Sequence, residues 1–120
     1  MEVESLNVYQ KLCTLLLEVH ELTMSYPKFE LYELGSQTRR SSNSAAANLA
    51  EGFGNKHTNI YTECISRSQG EIRETIHHLR IAMRKKYLTE EMFNKFKSDY
   101  QECSKMLFGL EKSLESKKRK

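Results

Sequence analysis

The chain has 120 residues, enough for one hydrophobic core and too few for two. A single proline, five glycines and 29% charged residues leave few chain breakers and many solvated faces, which argues against β architectures and for an all-α protein. The formal charge of +3 falls to −1 once the terminal Lys117, Lys118, Arg119 and Lys120 are set aside, so overall basicity belongs to the tail rather than to the body.

The acidic start, Met1-Glu2-Val3-Glu4-Ser5, and the lack of any apolar run of spanning length predict no signal peptide and no transmembrane helix. A cytoplasmic protein with no membrane partner is the expectation. Cys13, Cys64 and Cys103 are odd in number, far apart and without C-x-x-C spacing, which argues against a disulfide framework and a zinc site. No H-E-x-x-H, glycine-rich phosphate loop or G-x-S-x-G elbow occurs, so no metal or cofactor is expected.

A first helix is predicted over residues 5–24. Its core stripe is Val8, Leu12, Leu15, Val19 and Leu22, and a second apolar strip of Leu6, Tyr9, Cys13 and Leu16, continued by His20, runs beside it. The combined face is wider than one seam of a bundle needs, so the second strip is expected to be covered by another copy of the chain. Tyr26-Pro27 ends this helix, because the residue before a proline is pushed out of the helical region, and a short turn follows over residues 28–34.

The second helix is predicted over residues 36–52, with Ser36 as N-cap and Gly52 and Gly54 as its stop. Its side chains are almost all small, which lets neighbouring helices come close. Thr38, Ser42, Ala45, Leu49 and Phe53 should share the packed face, with Arg40, Ala47 and Glu51 turned away.

Thr58 or Asn59 can cap a third helix over residues 60–87, with a core stripe of Ile65, Ile72, Ile76, Leu79 and Met83. Arg73, His77, Arg80 and Arg84 follow one another at spacings of four, three and four, forming a second, basic row. A charge row usually faces solvent or pairs with glutamates, but arginine forks onto phosphate, so this row is a candidate nucleic-acid contact together with Lys85, Lys86 and the tail Lys117, Lys118, Arg119 and Lys120. Ile81 lies on neither strip and is a second candidate for a contact between copies. The fourth helix should be capped by Thr89, and Phe93, Phe96, Tyr100, Cys103, Leu107, Leu110 and Leu114 form an unbroken 3-4 seam of the kind used in nearly parallel packing. Four helices with short connections give an antiparallel up-down bundle over residues 1–116, followed by a basic tail, 117–120.

The segment Tyr26-Pro27-Lys28-Phe29-Glu30-Leu31-Tyr32-Glu33-Leu34, followed by Gln37, Arg39-Arg40 and Asn48-Leu49-Ala50-Glu51-Gly52, resembles the four-helix bundle proteins encoded in intervening sequences of bacterial 23S rRNA genes. The likeness continues through Tyr61, Ile65, Gly70 and Glu74 to Ala82 and Tyr87-Leu88, and departs from the usual pattern at Arg67 and Gln69-Gly70-Glu71. A related branch comprises the accessory variability determinants of diversity-generating retroelements, which work with a reverse transcriptase and its template RNA. The resemblance implies a ring-shaped homopentamer of basic character, suited to RNA or RNA/DNA, and carries over no catalytic residue.

Three functions follow as expectations. The first is a non-catalytic, oligomeric RNA-binding accessory protein whose weak phosphate contacts become multivalent in a ring. The second is an accessory determinant whose arginine row docks a reverse transcriptase along with its template RNA. The third is a ribonuclease, since Arg73 followed by His78 looks like the R-x4-6-H motif of HEPN-type helical ribonucleases, although the helical angle sets His78 off the arginine row. The sequence favours a protein that is not an enzyme.

Overall fold

Four long helices and two short 3-10 segments make up a computed structural model that describes residues 1–118. A 3-10 turn at Val3–Ser5 leads into α1 (Asn7–Met24), and a second at Lys28–Tyr32 leads into α2 (Leu34–Gly52). α3 (Thr58–Arg84) and α4 (Glu90–Lys118) complete the chain, and no strand occurs among the described residues.

The helices run antiparallel in sequence order. Between α2 and α3, Ser41 meets Thr75 and Ala45 meets Ser68, so numbers fall on one helix as they rise on the other. The same inversion holds between α3 and α4, where Gln69 bonds the Ser104 carbonyl and Arg80 sits over Phe93. α4 closes back on α1 through Lys11 and Glu102 at 2.7 Å. Each helix therefore packs against two neighbours, as in an up-down bundle.

The small-residue face of α2 is the basis of its tight pairing with α3. Thr38, Ser41, Ser42, Ala45, Ala46 and Leu49 are all buried, while Arg40, Ala47 and Glu51 face out. Gly52 makes the closest approach: a Cβ there would lie 2.4 Å from the Cys64 Cβ, which no side chain can occupy. Buried hydroxyls satisfy one another across this seam. Ser41 and Thr75 share a 2.7 Å hydrogen bond, and Ser68 donates to the Ala45 carbonyl at 2.6 Å.

On α1, Val8, Leu12, Leu15 and Val19 are buried as the spacing predicts, with Leu22 partly so. The second strip is partly covered within the chain. Leu6, Tyr9, Cys13 and Leu16 are half-buried against the chain's own core, and so is Ile81 of α3. The large apolar side chains with the barest surfaces lie elsewhere, at Met1, Leu17, Phe29, Tyr32 and Phe108. α4 buries Phe93, Phe96, Tyr100, Cys103 and Leu107 in its seam, whereas Leu110 and Leu114 stay partly exposed. At roughly 1.5 Å per residue α4 is about 44 Å long against about 27 Å for α1, so its last turns pass beyond that neighbour.

Helix ends depart from the sequence reading in three places. α1 starts at Asn7 rather than at residue 5, because Val3–Ser5 closes a separate 3-10 turn. Ser36 is not the cap of α2; the helix begins at Leu34, and the buried Glu30 carboxylate accepts the Leu34 N–H at 3.3 Å. α3 begins at Thr58 with His57 in the cap position, so neither Thr58 nor Asn59 caps it, and it ends at Arg84 rather than at residue 87. Thr89 does cap α4, its hydroxyl accepting the Met92 N–H at 3.0 Å.

Candidate nucleic-acid interface

The predicted row lies along α3 and is largely free of internal partners. Arg73, His77 and Arg84 are exposed and make no ion pair among the described residues. From Arg73 to Arg84 the row covers about 16 Å of helix. Arg80 is half-buried, its guanidinium 5.2 Å above the Phe93 ring, so part of its charge is spent on packing α3 against α4. Several other cations are matched to carboxylates: Lys11 with Glu102, Arg40 with Glu71 and Glu74, Arg67 with Glu63, and Lys95 with Asp99.

Lys85 leaves the row altogether. Its ammonium lies 2.8 Å from a carboxylate oxygen of Glu30, a side chain only 1% exposed. The Tyr87 hydroxyl donates to the same oxygen at 2.8 Å, and the Tyr87 ring stacks on Tyr26 with centroids 5.0 Å apart. The Lys85 hydrogen bond, aided by those of Tyr87 and Leu34, holds the Glu30 carboxyl below its ordinary range against the opposing effect of burial. Burial pushes the Tyr26 phenol up to about 12. This knot joins the segment before α2 to the turn after α3 across 55 positions of sequence. Arg39 holds the other side of the segment, donating to Thr23 at 3.0 Å and to the Leu31 carbonyl at 2.6 Å.

No helical period marks Glu30 out. Its only sequence signal is a carboxylate set among Phe29, Leu31 and Tyr32 three residues after a proline, and that pattern names no partner.

The turn from α3 to α4 adds one more free charge beside the row. Lys86 adopts a left-handed backbone, φ 69°, and is the one non-glycine to do so among the described residues. The Lys86 N–H reaches the Met83 carbonyl and the Tyr87 N–H reaches the Ala82 carbonyl, both at 2.9 Å, which is the Schellman closure usually built with glycine. Beside it lies a concavity of about 570 Å³ whose lining includes Met83, Arg84, Lys86, Thr89, Glu90 and Met92. The methionines and Glu90 carried no sequence signal for a site.

His78 and Arg73 have different neighbours. Its Nε2 is 3.2 Å from Glu74, which also takes Arg40, while the Arg73 guanidinium lies near Gly70. Burial works to raise the Glu74 carboxyl, but the hydrogen bonds from His78 and Arg40 outweigh it and hold that group below its ordinary value. His77 and His78 are 5.4 Å apart with rings tilted by 60°, and no group of three metal-ligating side chains occurs among the described residues. Of the tail cations, Lys117 is exposed; Arg119, Lys120 and the side chain of Lys118 lie outside the described residues. No helix in the described residues is long and apolar enough to cross a membrane.

An all-helical, antiparallel four-helix chain with a free basic edge on its third helix is the class these features define. The chain belongs to the 23S rRNA-intervening sequence protein family, whose model matches residues 4–109. It is also similar to a crystal structure of a protein of unknown function from the S23 ribosomal protein family of Bacteroides thetaiotaomicron. That likeness has a TM-score of 0.75 at 24% identity and covers 88% of this chain and 98% of the other. At that identity the likeness speaks for the fold alone. No curated protein matches the chain.

Proposed function

We propose that this protein is a non-catalytic nucleic-acid-binding protein of the intervening-sequence family, which holds RNA by its phosphates and does so as an assembly of copies. The observation that carries this reading is that Arg73, His77, Arg84 and Lys86 share one edge with no ion pair among the described residues, whereas the other arginines are engaged: Arg40 and Arg67 with carboxylates, Arg39 with Thr23 and the Leu31 carbonyl, and Arg80 over Phe93. Guanidinium groups without an internal acceptor offer paired donors to phosphate oxygens at little desolvation cost. Three or four such contacts are weak in one subunit. A ring, with five copies as the family resemblance suggests, would repeat the edge and convert weak contacts into avidity. The half-covered side chains Leu6, Tyr9, Cys13, Leu16 and Ile81 are the surfaces on which copies would meet.

Molar mass by light scattering and RNA binding by fluorescence anisotropy across a salt series test this together. For about three phosphate contacts per subunit, log affinity should fall against log salt with a slope of about −3 per engaged copy on a duplex and somewhat less on a single strand. Reversing charge with Arg73→Glu and Arg84→Glu should weaken binding and leave the molar mass unchanged. A monomer in solution, or an affinity indifferent to salt, would overturn the proposal.

A further inference from the structure

We infer that the nucleic acid held by this edge is unpaired, with one base turned out of the strand into the concavity at the α3–α4 turn. The inference rests on the phosphate-binding reading above and adds the class of ligand. Its ground is the place where the basic row stops. Arg84 is both the last residue of the row and part of the wall of the concavity, so a backbone following Arg73 and His77 along α3 is delivered to that opening.

The lining of the opening combines two chemistries. Arg84 and Lys86 supply two cations with no ion pair among the described residues. Met83 and Met92 supply thioethers, and Met92 is 42% exposed although it sits in the first turn of a helix otherwise packed by Phe93 and Phe96. A polarisable sulfur suits the flat face or edge of an aromatic ring. The Glu90 carboxylate, also in the lining, repels phosphate and can accept hydrogen bonds from exocyclic base amines, so the phosphate is left to the cations and the base to the thioethers and this carboxylate. At about 570 Å³ the space falls within the range of small-molecule sites.

A duplex keeps its base faces stacked and offers an opening of this kind only phosphate and sugar. An unpaired strand can splay a base into it.

The full chain is tested by anisotropy against a short unstructured RNA and against the duplex formed with its complement, at one low salt concentration. Three proteins are compared: the unaltered chain, Met92→Ser, which changes no charge, and Arg73→Glu, which is remote from the concavity. The expected result is tighter binding of the strand than of the duplex. Met92→Ser should lose about fivefold on the strand with duplex binding unaltered, as for removal of a half-exposed apolar contact, and Arg73→Glu should weaken both. Equal affinity for the two ligands, or a Met92→Ser effect that is the same on both, overturns the inference while leaving phosphate binding intact. Binding of neither ligand overturns the phosphate reading and this one with it.

Discussion

Replacing Lys86 by glycine should stabilise the fold while weakening its hold on RNA, two effects of opposite sign from one side chain. Lys86 occupies the left-handed position of the Schellman closure at φ 69°, where a Cβ crowds the following carbonyl at a cost of about 1–2 kcal/mol. Glycine removes that crowding but gives the unfolded chain extra freedom worth about 0.4–1 kcal/mol. The net expectation is a gain of about 0.5–1 kcal/mol, because the two 2.9 Å backbone hydrogen bonds of the turn are retained. For a chain of this length that corresponds to a rise of about 2–4 °C in Tm. Circular dichroism melts at matched protein concentration read it directly, matching being needed because assembly makes Tm concentration-dependent. Lys86→Ala is the control: it removes the same charge, keeps the Cβ, and should give no rise. A Tm that falls for Lys86→Gly, or rises equally for Lys86→Ala, would refute the reasoning that backbone strain resides at this turn.

Two further perturbations test the packing and the buried charge. Gly52→Ala puts a Cβ 2.4 Å from that of Cys64, so α2 and α3 must move apart, and urea denaturation should show a loss of about 1–3 kcal/mol; an unchanged midpoint would mean the seam has slack. Glu30→Gln should be less stable than the parent at pH 6, with the gap closing as the pH drops. The folded-state carboxyl is held below its unfolded value near 4.5, so the stability it contributes is fully present above pH 4.5 and is lost as pH falls through the folded-state value. Denaturant midpoints of the two proteins at pH 6, 4.5 and 3 check the sign, and a gap that widens with acid would show that the Lys85–Glu30–Tyr87 knot does not favour the ionised form.

What local pattern could express was legible in the chain itself. The 3-4 seam of α4 marked Phe93 through Leu107 as core, the small side chains from Thr38 to Leu49 marked the face that lets α3 approach, and Thr89 marked a cap. Each is a relation between residues a few positions apart, and helical geometry turns such spacing into a shared face without reference to the rest of the molecule. The row Arg73, His77, Arg80 and Arg84 was legible for the same reason. Its division into free and engaged members was not: Arg80 is drawn over Phe93, and Lys85 is taken by a carboxylate from before α2.

Tertiary structure alone decided those partners, along with the half-burial of Leu6, Tyr9, Cys13 and Leu16 and the gathering of Met83, Lys86, Glu90 and Met92 around one opening. Periodicity records which way a side chain faces on its own helix. Which charge neutralises Glu30, or which surface covers a second apolar strip, depends on where other helices stop and how closely they approach, and those quantities emerge only when the whole chain packs.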